Sequence, residues 1–266
     1  MNTAIDAAGE APLLRTAAEG VVTLTLNRPR QFNALGGELL GALAAALQDI
    51  ARDPAARVVV IAAAGRAFCA GHDLKEMMAR REQAFISELF SRCGAIMQAI
   101  QALPQPVIAR VQGIATAAGC QLVAACDLAV AAEDARFATS GINLGLFCAT
   151  PAVPVSRNIG RKRAFEMLFT GEFIDAATAL QWGLVNRVVP VARLEEATLA
   201  LARTLAAKPP AVVAAGKQSF YSQLERPLAD AYAEAAACIT RNMLGPDAAE
   251  GVSAFIDKRA PRWEQA

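Results

Sequence analysis

Apolar residues along this chain switch repeatedly between strand and helix periodicity. Short strand-like runs stand at Val21 to Leu26, Val58 to Ala62, Val107 to Val111, Leu128 to Ala131 and Val185 to Val189, with helical patterns between most of them. Alternation of this kind predicts an α/β architecture. The clearest helix runs from Leu39 to Arg52, with Leu39, Leu40, Leu43, Leu47 and Ile50 near helical spacing and Pro54 beyond its end. Asp175 as N-cap and Gly183 as a left-handed C′ residue bound a short helix over Ala176 to Trp182. Lys208-Pro209-Pro210 punctuates the second half, and Ala211 to Leu224, Leu228 to Met243 and Asp247 to Lys258 beyond it read as helices without a strand signal. This divides the chain into a core over 1–205 and a helical region over 206–266.

The stretch Val107 to Asp127 is the most informative. A β-branched run breaks at Gly113 into small residues and then becomes an apolar helical pattern, and no carboxylate stands between Val107 and Cys126. Strand, small-residue loop and helix start in that order place free backbone N–H groups where a developing negative charge can be received. A second loop of similar design, Gly65 to Leu74, follows the strand-like run at Val58, so two loops can offer one N–H each to a single oxygen. The same glycines and alanines also suit plain helix-to-strand packing.

Composition narrows the partner. Lys plus Arg at 26 against Asp plus Glu at 25 leaves a formal charge of +1, with the charges interspersed, so no field draws in nucleic acid or an anionic membrane. A small molecule is the expected ligand. Cys69, Cys93, Cys120, Cys126, Cys148 and Cys238 include no C-x-x-C pair and sit mostly in apolar surroundings, which reads as buried reduced thiols. The uncharged stretch Val111 to Cys126 is too short and too polar for a membrane span. Residues 1 to 20 carry Asp6, Glu10 and Glu19 without an apolar stretch of signal-peptide length, and read as a short, partly ordered tail. Cytoplasm is the expected location, with the mitochondrial matrix as alternative.

Several chemistries lack their residues. His72 is the single histidine, there is no G-x-S-x-G elbow, and P-loop, G-x-G-x-x-G and H-E-x-x-H patterns are absent. The remaining chemistry must lean on backbone donors. The His72 ring can donate a proton or hold an anion, or it can pack while only its backbone acts. Arg161-Lys162-Arg163 reads as the solvated end of a helix, and Asp127 as a local cap or partner.

The segments LTLNRPRQFNAL at 24–35, GRAFCAGHDLKEM at 65–77, PVIARVQGIATAAGCQLVAACDLAVA at 106–131, EMLFTGEFIDAATALQWGLVNRVVP at 166–190 and GVSAFIDKRAPRW at 251–263 resemble the crotonase superfamily, the enoyl-CoA hydratases and isomerases. ATAAGCQLVAACD followed by FATSGINLGLFCATPAV is similar to the enoyl-CoA hydratase domain-containing protein 3 subgroup. The resemblance implies a spiral of ββα turns with a C-terminal helical region that builds homotrimers or homohexamers. It implies an acyl-CoA thioester as ligand, coenzyme A being part of the substrate and no separate cofactor being needed. By position it implies oxyanion-hole N–H donors at His72 and Ala118. The loop of His72, Asp73, Leu74 and Lys75 would lie along the CoA arm, and Phe255 and Lys258 would contact CoA, often from a neighbouring subunit. The two glutamates of hydratases fall on Gln121 and Gly141. Gln121 can hold a water but cannot take its proton, and Gly141 has no side chain, so ordinary hydration should be weak while thioester polarisation survives. The alternative is a non-catalytic acyl-CoA binding or regulatory protein.

Overall fold

The structure, a computed structural model, describes residues 11–263. The chain opens with the antiparallel pair β1 (Leu13–Ala18) and β2 (Val21–Leu26), followed by α1 (Gly37–Ala51). It then repeats a motif in which one strand joins a first sheet, a shorter strand joins a second sheet, and helix follows. The first repeat is β3 (Val58–Ala63), β4 (Ala67–Cys69), α2 (Leu74–Ala79) and α3 (Gln83–Ala102); the next is β5 (Val107–Val111), β6 (Ile114–Thr116) and α4 (Ala118–Ala125). The third is β7 (Leu128–Ala132), β8 (Arg136–Ala138), α5 (Ala149–Asn158) and α6 (Arg161–Thr170). Next come β9 (Ile174–Asp175), α7 (Ala176–Trp182), β10 (Arg187–Val189) and α8 (Leu194–Ala206), and then α9 (Pro210–Leu224), α10 (Leu228–Met243) and α11 (Pro246–Ile256).

The first sheet has the order β1-β2-β3-β5-β7-β10 and is parallel beyond β2; the second, β4-β6-β8-β9, is parallel except for β8 with β9. This is the α/β alternation that the periodicity predicted, in the spiral of ββα turns that the resemblance implied. Its central strands β3 and β7 are continuous apolar runs because both faces are covered. Val59 and Ile61 of β3 face the main core with Leu39, Leu40, Leu43, Leu47 and Ile50 of α1, whereas Val58, Val60 and Ala62 face a second core under α8. Full burial of each such side chain is worth roughly 1.5–3 kcal/mol, so α1 is held by its stripe and not by helix propensity.

Asp175 caps α7 by accepting from the Thr178 amide at 2.7 Å, and Gly183 takes φ 87°, as the sequence predicted. Four readings need correction. Residues 13–18 of the expected tail form β1, which pairs in full register with β2; residues 1–10 of it lie outside the described residues. The strand expected from Val185 begins at Arg187, because Val185 turns into the core and the Asn186 side chain accepts from the Ala129 amide at 2.8 Å. The last helix ends at Ile256, and Lys258 takes φ 53°.

Asp127 is not a local cap. Its carboxylate accepts from Lys217 Nζ at 2.6 Å, from the Tyr221 hydroxyl at 2.7 Å and from the Val107 amide at 2.6 Å, tying α9 to the spiral. Lys217 also donates to the Ile100 and Gln105 carbonyls, so its three donors are used. Burial pulls the Lys217 ammonium below the ordinary lysine range while Asp127 pulls it back up. Arg161, Lys162 and Arg163 are exposed at the start of α6.

Candidate active site

β4 ends at Cys69, and the chain turns through Ala70 and Gly71 into His72. Gly71 has φ 96°, a conformation open to glycine, and a Cβ there would stand 2.9 Å from Ala117 Cβ and 3.4 Å from Ala118 N. This turn therefore touches the start of α4. Buried Leu35 holds it from the other side: the Leu35 amide donates to the Gly71 carbonyl at 2.7 Å, and the Leu35 carbonyl lies 3.0 Å from His72 Nδ1.

The second turn leads from β6 into α4. Ala117 sits at φ 50°, ψ −119°, strained for alanine, and its amide donates to the Ala138 carbonyl at 3.0 Å. Gly119 lies so close to β4 that a Cβ would come 2.1 Å from the Cys69 carbonyl oxygen, which locks the two turns together. Ala118 is the first residue of the helix, so its amide has no intrahelical acceptor. Among the described residues neither the His72 nor the Ala118 amide donates to a backbone carbonyl.

Both residues line one cavity of about 480 Å³. Its remaining wall comes from Ala70 and Ala117 of the two turns, Leu74 and Met77 of α2, Phe90 of α3, Ser140, Gly141 and Leu144 to Cys148 after β8, and the first turn of α5. No Asp, Glu, Lys or Arg of the described residues lines it. A carbonyl oxygen only accepts, so Nδ1 of His72 carries the ring proton toward Leu35 and Nε2 keeps a lone pair. Nε2 is buried without a hydrogen-bond partner, and Phe90 meets the ring edge-on at 5.0 Å. Burial lowers the imidazole pKa from its ordinary 6.5, against the opposing pull of the Leu35 carbonyl and Glu76. Burial likewise raises the Cys148 thiol in the cavity wall and pushes Cys120 up to about 12, so neither is a thiolate nucleophile near neutral pH.

Of the residues singled out from sequence, His72, Leu74, Ala118 and Gly141 line the cavity. Asp73 and Lys75 do not; Asp73 caps α2, accepting from the Lys75 and Glu76 amides at 2.9 and 3.2 Å. Gln121 is buried one turn into α4, behind the lining residues, with Oε1 unpartnered. Gly141 is enclosed: its carbonyl accepts from the Leu146 amide at 3.0 Å, and a Cβ would meet the Leu146 oxygen at 2.6 Å and Cys148 Sγ at 2.9 Å. Phe255, 84% exposed, and Lys258 lie on the C-terminal helical region, away from this chain's own cavity wall.

Sequence reasoning missed Leu35, Asn33 and Gln112, which brace the turns. Asn33 Nδ2 donates to the Ala64 and Ala67 carbonyls at 2.9 Å, and Gln112 Nε2 lies 3.0 Å from the Ala63, Gly65 and Ala67 carbonyls. It also missed Phe90, Met77 and Leu144 to Phe147, for which the one available signal was an apolar cluster beside Gly145.

Comparison with known proteins bears on this arrangement. The sequence profile described as "Enoyl-CoA hydratase/isomerase" matches residues 16–266. The chain belongs to the enoyl-CoA hydratase/isomerase family. A relative within it, the Xenopus laevis "Enoyl-CoA hydratase domain-containing protein 3, mitochondrial", is 46% identical over 92% of this chain and 83% of its own length. The crystal structure of an enoyl-CoA hydratase from Mycobacterium smegmatis superposes with a TM-score of 0.94 at 58% identity, covering 96% of this chain and 99% of that one. The human enoyl-CoA hydratase domain-containing protein 3 structure gives 0.92 at 42% identity, covering 95% and 100%. The fold is thus the family's fold.

Proposed function

We propose that this family member binds an acyl-CoA thioester in the 480 Å³ cavity and stabilises its enolate, with the carbonyl oxygen between the His72 and Ala118 amides. The observation that carries the reading is the contact between the two turns, each bringing an amide without a backbone acceptor to one cavity. Each such donor is worth about 10²–10³ in rate. As proton acceptor for the α-carbon the site offers Nε2 of His72, unpartnered but buried beneath the cavity surface, with Nδ1–H anchored on Leu35 and Phe90 against the ring, so its use requires the ring or Phe90 to move. By resemblance, the two carboxylate positions of hydratases are Gln121 and Gly141, so addition of water lacks a base worth about 10²–10⁴ and is weak. Proton shuttling, as in isomerisation, suits this site better.

Incubation with butyryl-CoA in deuterated water tests the reading by deuterium incorporation at the α-carbon, and crotonyl-CoA tests hydration. Exchange with little hydration is expected. Hydration at a rate typical of the family would overturn the reading of positions 121 and 141. The absence of any carboxylate from the described lining favours a second reading, a non-catalytic acyl-CoA binder, for which tight binding without exchange is the expected result.

The exposed apolar side chains of α10 and α11 support assembly into a trimer or hexamer through residues 206–266, and a neighbouring subunit would then bring its Phe255 and Lys258 toward CoA. The word mitochondrial in the name of the frog relative supports the matrix over the cytoplasm expected from sequence, and fractionation of the source cells decides between them.

A further inference from the structure

The uncharged lining of the cavity constrains the acyl group. Leu74, Met77 and Phe90 form one wall and Leu144, Leu146 and Phe147 the other, and none of the described lining residues is acidic or cationic. The polar groups that remain are few and partly engaged: the Ser140 hydroxyl lies 2.8 Å from the Thr116 hydroxyl, and burial keeps the Cys148 thiol protonated. Leu144, Leu146 and Phe147 are about half exposed or more, three large apolar groups in one loop with solvent where a ligand would cover them. Phe147 continues outward into an aromatic row, its ring 5.0 Å from Phe169, which stacks on Phe165 at 3.9 Å.

We infer that the site selects thioesters of unsubstituted fatty acyl chains and rejects acyl chains ending in a carboxylate, with Phe147 as the specificity-determining contact of the distal methylenes. The inference rests on the acyl-CoA reading above. A terminal carboxylate laid against this apolar lining would lose part of its hydration and find no cation among the described lining residues in exchange, a net cost. A hydrocarbon end loses nothing and covers the exposed loop, and the aromatic row extends the same apolar path for longer chains.

Calorimetric titration of the intact protein with octanoyl-CoA, suberyl-CoA and free CoA tests it, since the two thioesters match in length and differ in the terminal carboxylate. Octanoyl-CoA is expected to bind at least about 30-fold more tightly than suberyl-CoA. Phe147→Ala is expected to lower the ratio of octanoyl-CoA to free CoA affinity about tenfold, from lost apolar contact. Phe147→Arg, at a half-exposed loop position that tolerates the charge, is expected to raise suberyl-CoA affinity above that of the parent, with thermal melting confirming the fold. Equal affinities for the two thioesters, or a Phe147→Arg variant that melts normally and gains nothing for suberyl-CoA, would overturn the inference and leave the acyl-CoA reading standing. If neither thioester binds, the acyl-CoA reading falls and takes this inference with it.

Discussion

Single residues set the geometry of the site, and Gly71 is the sharpest case. At φ 96° with Ala117 Cβ 2.9 Å from where a side chain would begin, Gly71→Ala combines backbone strain with a clash that pushes the two turns apart. A loss of about 1–3 kcal/mol in urea unfolding is expected. α-Deuterium exchange should fall by about 10²-fold with it, as the two amides cease to meet at one oxygen. His72 makes a prediction in pH. Its folded pKa lies below the ordinary 6.5, so as pH falls through 6.5 the unfolded chain takes up a proton that the native state refuses, and stability drops below that pH and not above it. The exchange rate, which depends on the native ring, should keep its base through 6.5 and fall only at a lower pH, where the folded imidazole itself takes up a proton. His72→Gln should flatten this limb of the stability curve, measured by thermal melting from pH 7 down to pH 5. The two small-residue turns were legible in the sequence because loop, glycine and helix start are local patterns, whereas singling out His72 and Ala118 within them came from the family resemblance. Leu35, Asn33 and Phe90 were not, because nothing local to them records which distant turn they will face.

Elements tell a similar story of local and distant information. Helices such as Ala176–Trp182 carry their own caps, and buried strands carry their own β-branched runs, so both could be read directly. The second sheet could not: its strands are two or three residues long, too short to show any period, and they are fixed by neighbours such as Ile114 pairing with Arg136. Asp127 was misjudged for the same reason, since its partner Lys217 lies 90 residues on. That ion pair is mostly buried, with side chains 15% and 7% exposed, so breaking it from one side strands a charge. Lys217→Met is expected to cost about 3–5 kcal/mol in chemical denaturation, and pairing it with Asp127→Asn should recover part of that loss. Hydrogen exchange along α9 should rise in the single variant, because this clasp holds the helix against the end of α3.

At the scale of the whole molecule, the spiral carries nearly all of the buried core while the C-terminal helices bury few apolar groups. Leu228, Tyr232, Ile239, Met243, Leu244, Phe255 and Ile256 are more than half exposed, with Leu244 and Phe255 at 84%. Such a surface fits association between copies. Leu244→Glu combined with Phe255→Glu is expected to shift the light-scattering mass toward a monomer while the far-ultraviolet circular dichroism of the spiral persists. An unchanged mass would place the contact elsewhere. The path of the chain around residue 141 has a consequence for anyone redesigning this enzyme. A point exchange cannot install a catalytic acid there, because the returning loop has already occupied the room; segment 142–148 would have to be rebuilt first. The same crowding keeps any side chain out of this position as long as the loop keeps its path, so a new proton carrier would have to come from elsewhere in the cavity wall.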